Sequence, residues 1–303
     1  MRFRIHRSVA IRCPAPVREH HLEWRCAPWD DAGQRLHRLA VTCTPQVDMA
    51  SHRDCFGNQV HRTALLGAHD GLLLAMDADV ETLLDDPFAC ERIEPARERE
   101  WISASLREAP RLWDLVLHRD AASPLLQALV DGADATELGV DARMADALPV
   151  LRPGVALFAQ LQDANTWLTG TCASLRLDVT AGATAEDASA DRPLREARGT
   201  PAELAMTLAA LARSWGLPAR LVSGYHSEPP AADGAGLHHW AEVLVPGAGW
   251  RGLDPSAGRV ADAAYVRLAV GRTCQDLRPL RQSWQGEADA APQPELIRIE
   301  AGG

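Results

Sequence analysis

Apolar residues recur at two different periods in this chain, and the period changes along its length. Up to about residue 95 they fall in short segments with partial alternation: Phe3/Ile5, Leu22/Trp24, Leu36/Leu39/Val41 and Leu72/Leu74/Met76. Alternation marks a strand with one buried face. Turn signals separate these segments: CPAP at 13–16, PWDDAGQ at 28–34 and FGN at 56–58. The pattern predicts a β-rich N-terminal domain over 1–95, a small sheet or sandwich of hairpins. From 96 to 154 the character changes. Trp101, Leu106, Leu112, Leu115, Leu125, Leu126 and Leu129 lie at helical spacings in Ala-, Arg- and Glu-rich surroundings, which predicts a helical connecting segment. Another helix is expected from Val155, after Pro153-Gly154. Residues 165–177 fit neither period, and 178–199 read as loop.

The strongest helix is 201–215. Leu204, Leu208, Leu211 and Trp215 fall at i, i+4, i+7 and i+11, one buried stripe. Thr200 suits the N-cap, Pro201 the first helical position and Glu203 the third, where a carboxylate reaches back to the cap amide. Such a cap alone contributes about 1 kcal/mol. Gly216 and Pro218 end the helix. ARLVSGYH then reads as a strand, 227–236 as an exposed loop, HHWAEVLV as a strand, PGAG as a hairpin turn and WRGLDPS as the returning strand. On the middle strand His238, Trp240 and Glu242 share one face, and His239, Ala241 and Val243 the other. Residues 283–303 are Ala-, Gln-, Glu- and Gly-rich and are expected to be a frayed tail. The whole is an α+β chain.

Composition narrows the classes. A chain of 303 residues with 47% hydrophobic residues can build about two domains. No apolar run approaches the length of a membrane span, and MRFRIHRSVAIRC reads as a strand rather than a signal peptide. A cytoplasmic protein without membrane contact is expected. Seven cysteines at irregular spacings, none in a CxxC pair, argue for reduced structural thiols rather than zinc or disulfides. A net charge of −10 argues against broad nucleic-acid binding. All 31 basic residues are arginine, so the chain has no lysine amine of its own to offer to isopeptide chemistry. No cofactor is expected.

Helix–GLPARLVSGY–loop–HHWAEVLVPGAGWRGLDPS resembles the core of bacterial transglutaminase-like proteins, within the superfamily of papain-like cysteine enzymes. YVRLAVGR (265–272) and LRPLRQSW (277–284) resemble that family's closing segment. MRFRIHRSVAIRCPAPV and DCFGNQVHR resemble its N-terminal β domain. The resemblance implies a papain-like core over 155–282, one central helix against an antiparallel sheet. It also implies a Cys–His–Asp triad for acyl transfer, with the cysteine at the helix start, where the macrodipole and histidine favour thiolate. The histidine position maps to His238 and the aspartate to Asp254. Counting back along the helix from Gly216, the nucleophile position falls on Pro201, whose ring cannot attack a carbonyl.

Three substitutes exist. Thr200 carries a hydroxyl, but one residue off, and its oxygen is needed for capping. Cys274, in GRTCQDL, imitates a nucleophile motif but follows the aspartate in sequence and opens no evident helix. Cys172 lies 29 residues before Pro201, ahead of the GAT turn (182–184), and reads as a buried apolar residue. The resemblance therefore implies a pseudoenzyme: a scaffold or subunit that binds a protein or peptide partner, in a family often associated with ATP-grasp and α-helical proteins. The alternative is an acyl-transfer or amide-hydrolysing enzyme with a displaced nucleophile such as Cys274. A third reading, metal-dependent amide hydrolysis around His226, His238, His239 and Asp254, has no standard ligand spacing behind it.

Overall fold

The computed structural model describes residues 1–117, 123–175, 188–227, 236–287, 291–292 and 295–302. The GAT turn and most of the 227–236 loop lie outside the described residues. The N-terminal region holds strands β1 (Arg2–Trp24), β2 (Gln34–Thr44), β3 (Ala50–Arg53), β4 (Gln59–Leu65) and β5 (His69–Thr82). Short helices follow: α1 (Pro95–Glu108), a 3₁₀ turn (Pro110–Trp113), α2 (Asp114–Leu117), α3 (Pro124–Val130), α4 (Ala142–Asp146) and α5 (Leu157–Thr171). Then come β6 (Ala173–Ser174), α6 (Arg192–Glu196), β7 (Arg198–Gly199) and the long α7 (Pro201–Ser214). The chain continues with β8 (Ala219–His226), β9 (His238–Val245), β10 (Gly249–Asp254), β11 (Arg259–Val260) and β12 (Tyr265–Gly271). It closes with β13 (Leu280–Gln285), β14 (Ala291–Pro292) and β15 (Leu296–Gly302).

The CPAP segment, expected as a turn, is instead the middle of one 23-residue strand, β1. The pairing of β1 with β5 shifts register between Arg12 and Val17. A proline has no N–H for a ladder, so it is tolerated where the ladder is already interrupted. Here that interruption is also where β1 changes partners, from β5 and β15 before it to β4 and β13 after it. The expected tail is a second correction. Among 283–303, β13 reaches Gln285, and β15 pairs antiparallel with the first residues of β1, from Arg2↔Gly302 to Ser8↔Leu296. Its sequence, LIRIEAG, alternates as a strand does, and Ile297 is buried in the N-terminal core.

The core sheet has the order β11-β10-β9-β8-β12. One face packs on α7, whose Leu204, Leu208 and Leu211 are fully buried beside Leu221, Ala241, Val243 and Leu253. The opposite face carries Val222, Trp240 and Tyr265. The outer edge of β12 is not left bare, as an edge strand's backbone groups would otherwise require partners. The side-chain amide of Asn58 donates to Val270 O and accepts from Val270 N, both at 2.8 Å, and Gln34 treats Arg267 likewise at 3.0 and 2.8 Å. Two buried side chains of the N-terminal region thus stand in for peptide groups of a neighbouring strand.

Candidate functional site

Only residues 215–218 join α7 to β8, so helix and strand run antiparallel, and the start of α7 lies at the His226 end of β8. Antiparallel pairing carries this end across the sheet. His238 opens β9 opposite Gly224, Asp254 closes β10, and Tyr265 opens β12 opposite His226. Pro201, His238, Asp254 and Tyr265 therefore gather at one end of the core without being close in sequence.

His238 Nε2 lies 2.6 Å from Asp254 Oδ2. The carboxylate accepts here, so the Nε2 proton belongs to the imidazole. Among the described residues His238 Nδ1 has no hydrogen-bond partner, and the side chain is 16% exposed. Asp254 is fully buried. Its Oδ1 accepts from Ser256 N at 3.0 Å, Ser256 Oγ at 2.6 Å and Ala257 N at 3.2 Å, the turn that follows Asp-Pro. Burial works against its charge. The hydrogen bond and charge of His238, with the bonds from Ser256 and Tyr265, override it and hold the carboxyl below the usual range.

Pro201 takes the first position of α7, with the expected capping box complete. Thr200 Oγ1 accepts from Glu203 N at 3.4 Å and lies 3.2 Å from Glu203 Oε2, which also accepts from Thr200 N at 2.9 Å. The threonine hydroxyl thus accepts from the backbone amide of Glu203 and donates to that residue's buried carboxylate.

The cysteine substitutes lie elsewhere. From Tyr265, β12 runs away from the site to Gly271, opposite Leu221, about 20 Å at roughly 3.3 Å per residue. Cys274 lies beyond, buried, with its sulfur 3.4 Å from that of Met206 on α7. It follows the end of β12 opposite the one where Tyr265 meets Asp254. Cys172 caps α5, its sulfur 3.4 Å from Met144 Sδ, and burial pushes its thiol up to about 11. That is the setting of an apolar packing residue.

Trp240 is buried beneath the site, and space for its ring depends on Gly224 and Gly252, where an added Cβ would come within 2.6 and 3.1 Å of the indole. Glu242 lies between Arg220 and Arg267, at 2.6 and 2.9 Å. Burial opposes its charge, but the two guanidinium groups bring it down to about 2. Burial, then the neighbouring His238, push His239 down to about 4, so it is neutral at pH 7. Sequence reasoning missed Tyr265. It is buried, its hydroxyl donates to Asp254 Oδ2 at 2.8 Å, and its only sequence signal is a tyrosine at the head of a strand. Among the described residues no group of three His, Cys, Asp or Glu side chains is placed to hold a metal ion, and no helix is long and apolar enough to cross a membrane.

Comparison with known proteins bears on the family and the fold. Residues 155–255 match the family described as the transglutaminase-like superfamily, and residues 3–81 match the bacterial transglutaminase-like N-terminal region. An uncharacterized protein of Mycobacterium leprae is 25% identical over 98% of this chain and 99% of its own length. One of Mycobacterium tuberculosis is 24% identical over 92% of this chain and 86% of its own. A crystal structure from Cytophaga hutchinsonii, presented as that of a candidate cysteine protease, covers 99% of this chain and 90% of its own, with TM-score 0.67 and 17% identity. At that identity the likeness is one of fold.

Proposed function

Because the chain belongs to the transglutaminase-like superfamily, we propose that it is a pseudoenzyme: it keeps the histidine and aspartate of a Cys–His–Asp triad, and proline holds the place of the nucleophile. The observation that carries this reading is Pro201 at the first turn of α7, at the sheet end where His238 and Asp254 pair at 2.6 Å. The geometry of the substitutes supports it. Cys172 and Cys274 are buried against methionines, and Thr200 is committed to its cap. The role is then binding of a peptide or protein segment, with ATP-grasp or α-helical proteins as the partners to seek by co-purification. A reducing cytoplasmic setting fits seven unpaired cysteines, five of them buried.

The experiment is a pair of measurements. The purified wild-type chain is assayed for cross-linking and cleavage of glutamine-containing peptides; turnover would overturn the proposal. Iodoacetamide labelling, mapped by mass spectrometry, is expected on exposed Cys55 and Cys90 and not on Cys172 or Cys274. Pro201→Cys then restores the missing atom. Its thiol is expected to alkylate with an apparent pKa well below the ordinary value of about 8.5, and His238→Ala is expected to abolish that depression. An ordinary thiol in Pro201→Cys would show that the helix start and the imidazole no longer face each other.

A further inference from the structure

Among the described residues Asp254 accepts five hydrogen bonds, and they are of two kinds. The three on Oδ1 come from the two residues after Pro255 and belong to the local turn. The two on Oδ2 come from distant strands: His238 Nε2 at 2.6 Å and the Tyr265 hydroxyl at 2.8 Å. Tyr265 belongs to β12, and both β8 and β9 lie between it and β10. Its ring is wedged edge-on against two others, 4.5 Å from His226 and 5.3 Å from Trp240 between centroids. The ring of His238 lies 6.1 Å away. A phenol so held has little rotational freedom, and its proton points at the oxygen His238 uses.

We propose that Tyr265 is the positioning residue of the His238–Asp254 pair: its hydroxyl pins Asp254 Oδ2, and the pinned carboxylate holds His238 Nε2–H, leaving Nδ1 as the ring's open acceptor. Rotation of the carboxylate about its Cβ–Cγ bond would carry Oδ2 away from the imidazole. The turn bonds resist this from one side and Tyr265 from the other. Oδ1 accepts three bonds and Oδ2 two, so neither oxygen carries a proton, and the three residues form one proton-ordered unit. The other titratable groups around it are His226 on β8, His239 on β9, Arg259 on β11 and Asp262 in the turn before β12. The inference rests on His238 and Asp254 being the retained functional pair.

The test is NMR of the wild type and Tyr265→Phe. In the wild type the His238 Nε2–H is expected as a downfield proton sheltered from water. In Tyr265→Phe its exchange is expected to speed up at least tenfold. The Asp254 carboxyl ¹³C titration is expected to move up by roughly half to one pH unit, as follows from the loss of one ordinary hydrogen bond. A buried tyrosine that only fills space would lower thermal stability and move neither signal, so unchanged exchange and titration overturn the proposal. If Tyr265→Phe does not fold, 3-fluorotyrosine in a Tyr225→Phe background gives the reading, because the chain has only two tyrosines. A more acidic phenol is a stronger donor, so the Asp254 titration should move down; no movement overturns the proposal. Failure of the pseudoenzyme reading is distinguishable: it shows as turnover by the wild type or as an ordinary thiol in Pro201→Cys, whatever Tyr265→Phe does.

Discussion

At the scale of single residues the start of α7 is a stability device that needs no chemistry. Glu203 is 1% exposed and meets Thr200 N, the Thr200 hydroxyl, Ser189 N and Arg192 with one carboxylate. Removing the hydroxyl leaves a buried amide without its acceptor. Thr200→Ala is therefore expected to lower unfolding free energy by about 1 kcal/mol, up to ~2, and Thr200→Ser by much less. Urea denaturation checks both. A loss for the serine variant equal to that for alanine would mean that the methyl group, not the cap, matters. This motif was readable in T-P-A-E because capping is local: three residues of spacing determine it. Tyr265 was not readable, because its partner is set by strand order, which no window of sequence contains.

At the scale of elements, β8, β9 and β12 are tied on one face by charge. Glu242 sits between Arg220 and Arg267, Arg267 also pairs with Asp31, and Arg220 lies 4.1 Å over the Trp250 ring. Glu242→Gln would leave two buried guanidinium groups sharing no carboxylate between them, with an expected cost of about 3–5 kcal/mol at pH 7. Acid reaches this sheet in stages, first on the face opposite Glu242. His239 titrates at about 4 in the fold against an ordinary 6.5. The unfolded chain takes up that proton first, so stability is complete above pH 6.5 and falls as pH drops toward 4. Glu242 titrates at about 2 against an ordinary 4.5, so its contribution is present above pH 4.5 and is lost as pH falls toward 2. Thermal unfolding against pH should show both limbs, His239→Gln flattening the upper and Glu242→Gln the lower. Unaltered slopes would assign acid lability to other groups. The strand pattern foretold that His238, Trp240 and Glu242 share a face, and the α7 stripe was legible from its period. The arginine pairing was not, since each partner comes from a different strand. Nor were β1 and β15, because proline and low-complexity signals say where a chain can bend or fray, and partners decide whether it does.

At the scale of the molecule, the end of the chain is built into its beginning. Arg7 has no exposed surface. Its Nε and Nη2 donate to the two carboxylate oxygens of Glu295 at 2.9 and 2.7 Å, its Nη1 to Arg25 O at 3.3 Å, and its guanidinium lies 5.6 Å from the Trp24 ring centre. Glu295 stands one residue before β15, whose pairing with β1 includes Arg7↔Ile297. The ion pair and the strand pairing therefore hold the same segment. Glu295→Gln keeps shape but leaves a buried cation without its counter-charge, which costs about 3–5 kcal/mol. Arg7→Met with Glu295→Leu removes both charges and is expected to recover most of that loss, because desolvation of the pair offsets much of its attraction. Hydrogen exchange locates the effect: in Glu295→Gln the amides of β15 should lose protection before those of β8 and β9, which are held by α7. Equal loss across both sheets would mean that the core cannot fold without the last strand. In that case the region that resembles an enzyme would depend, for its frame, on residues lying far outside it.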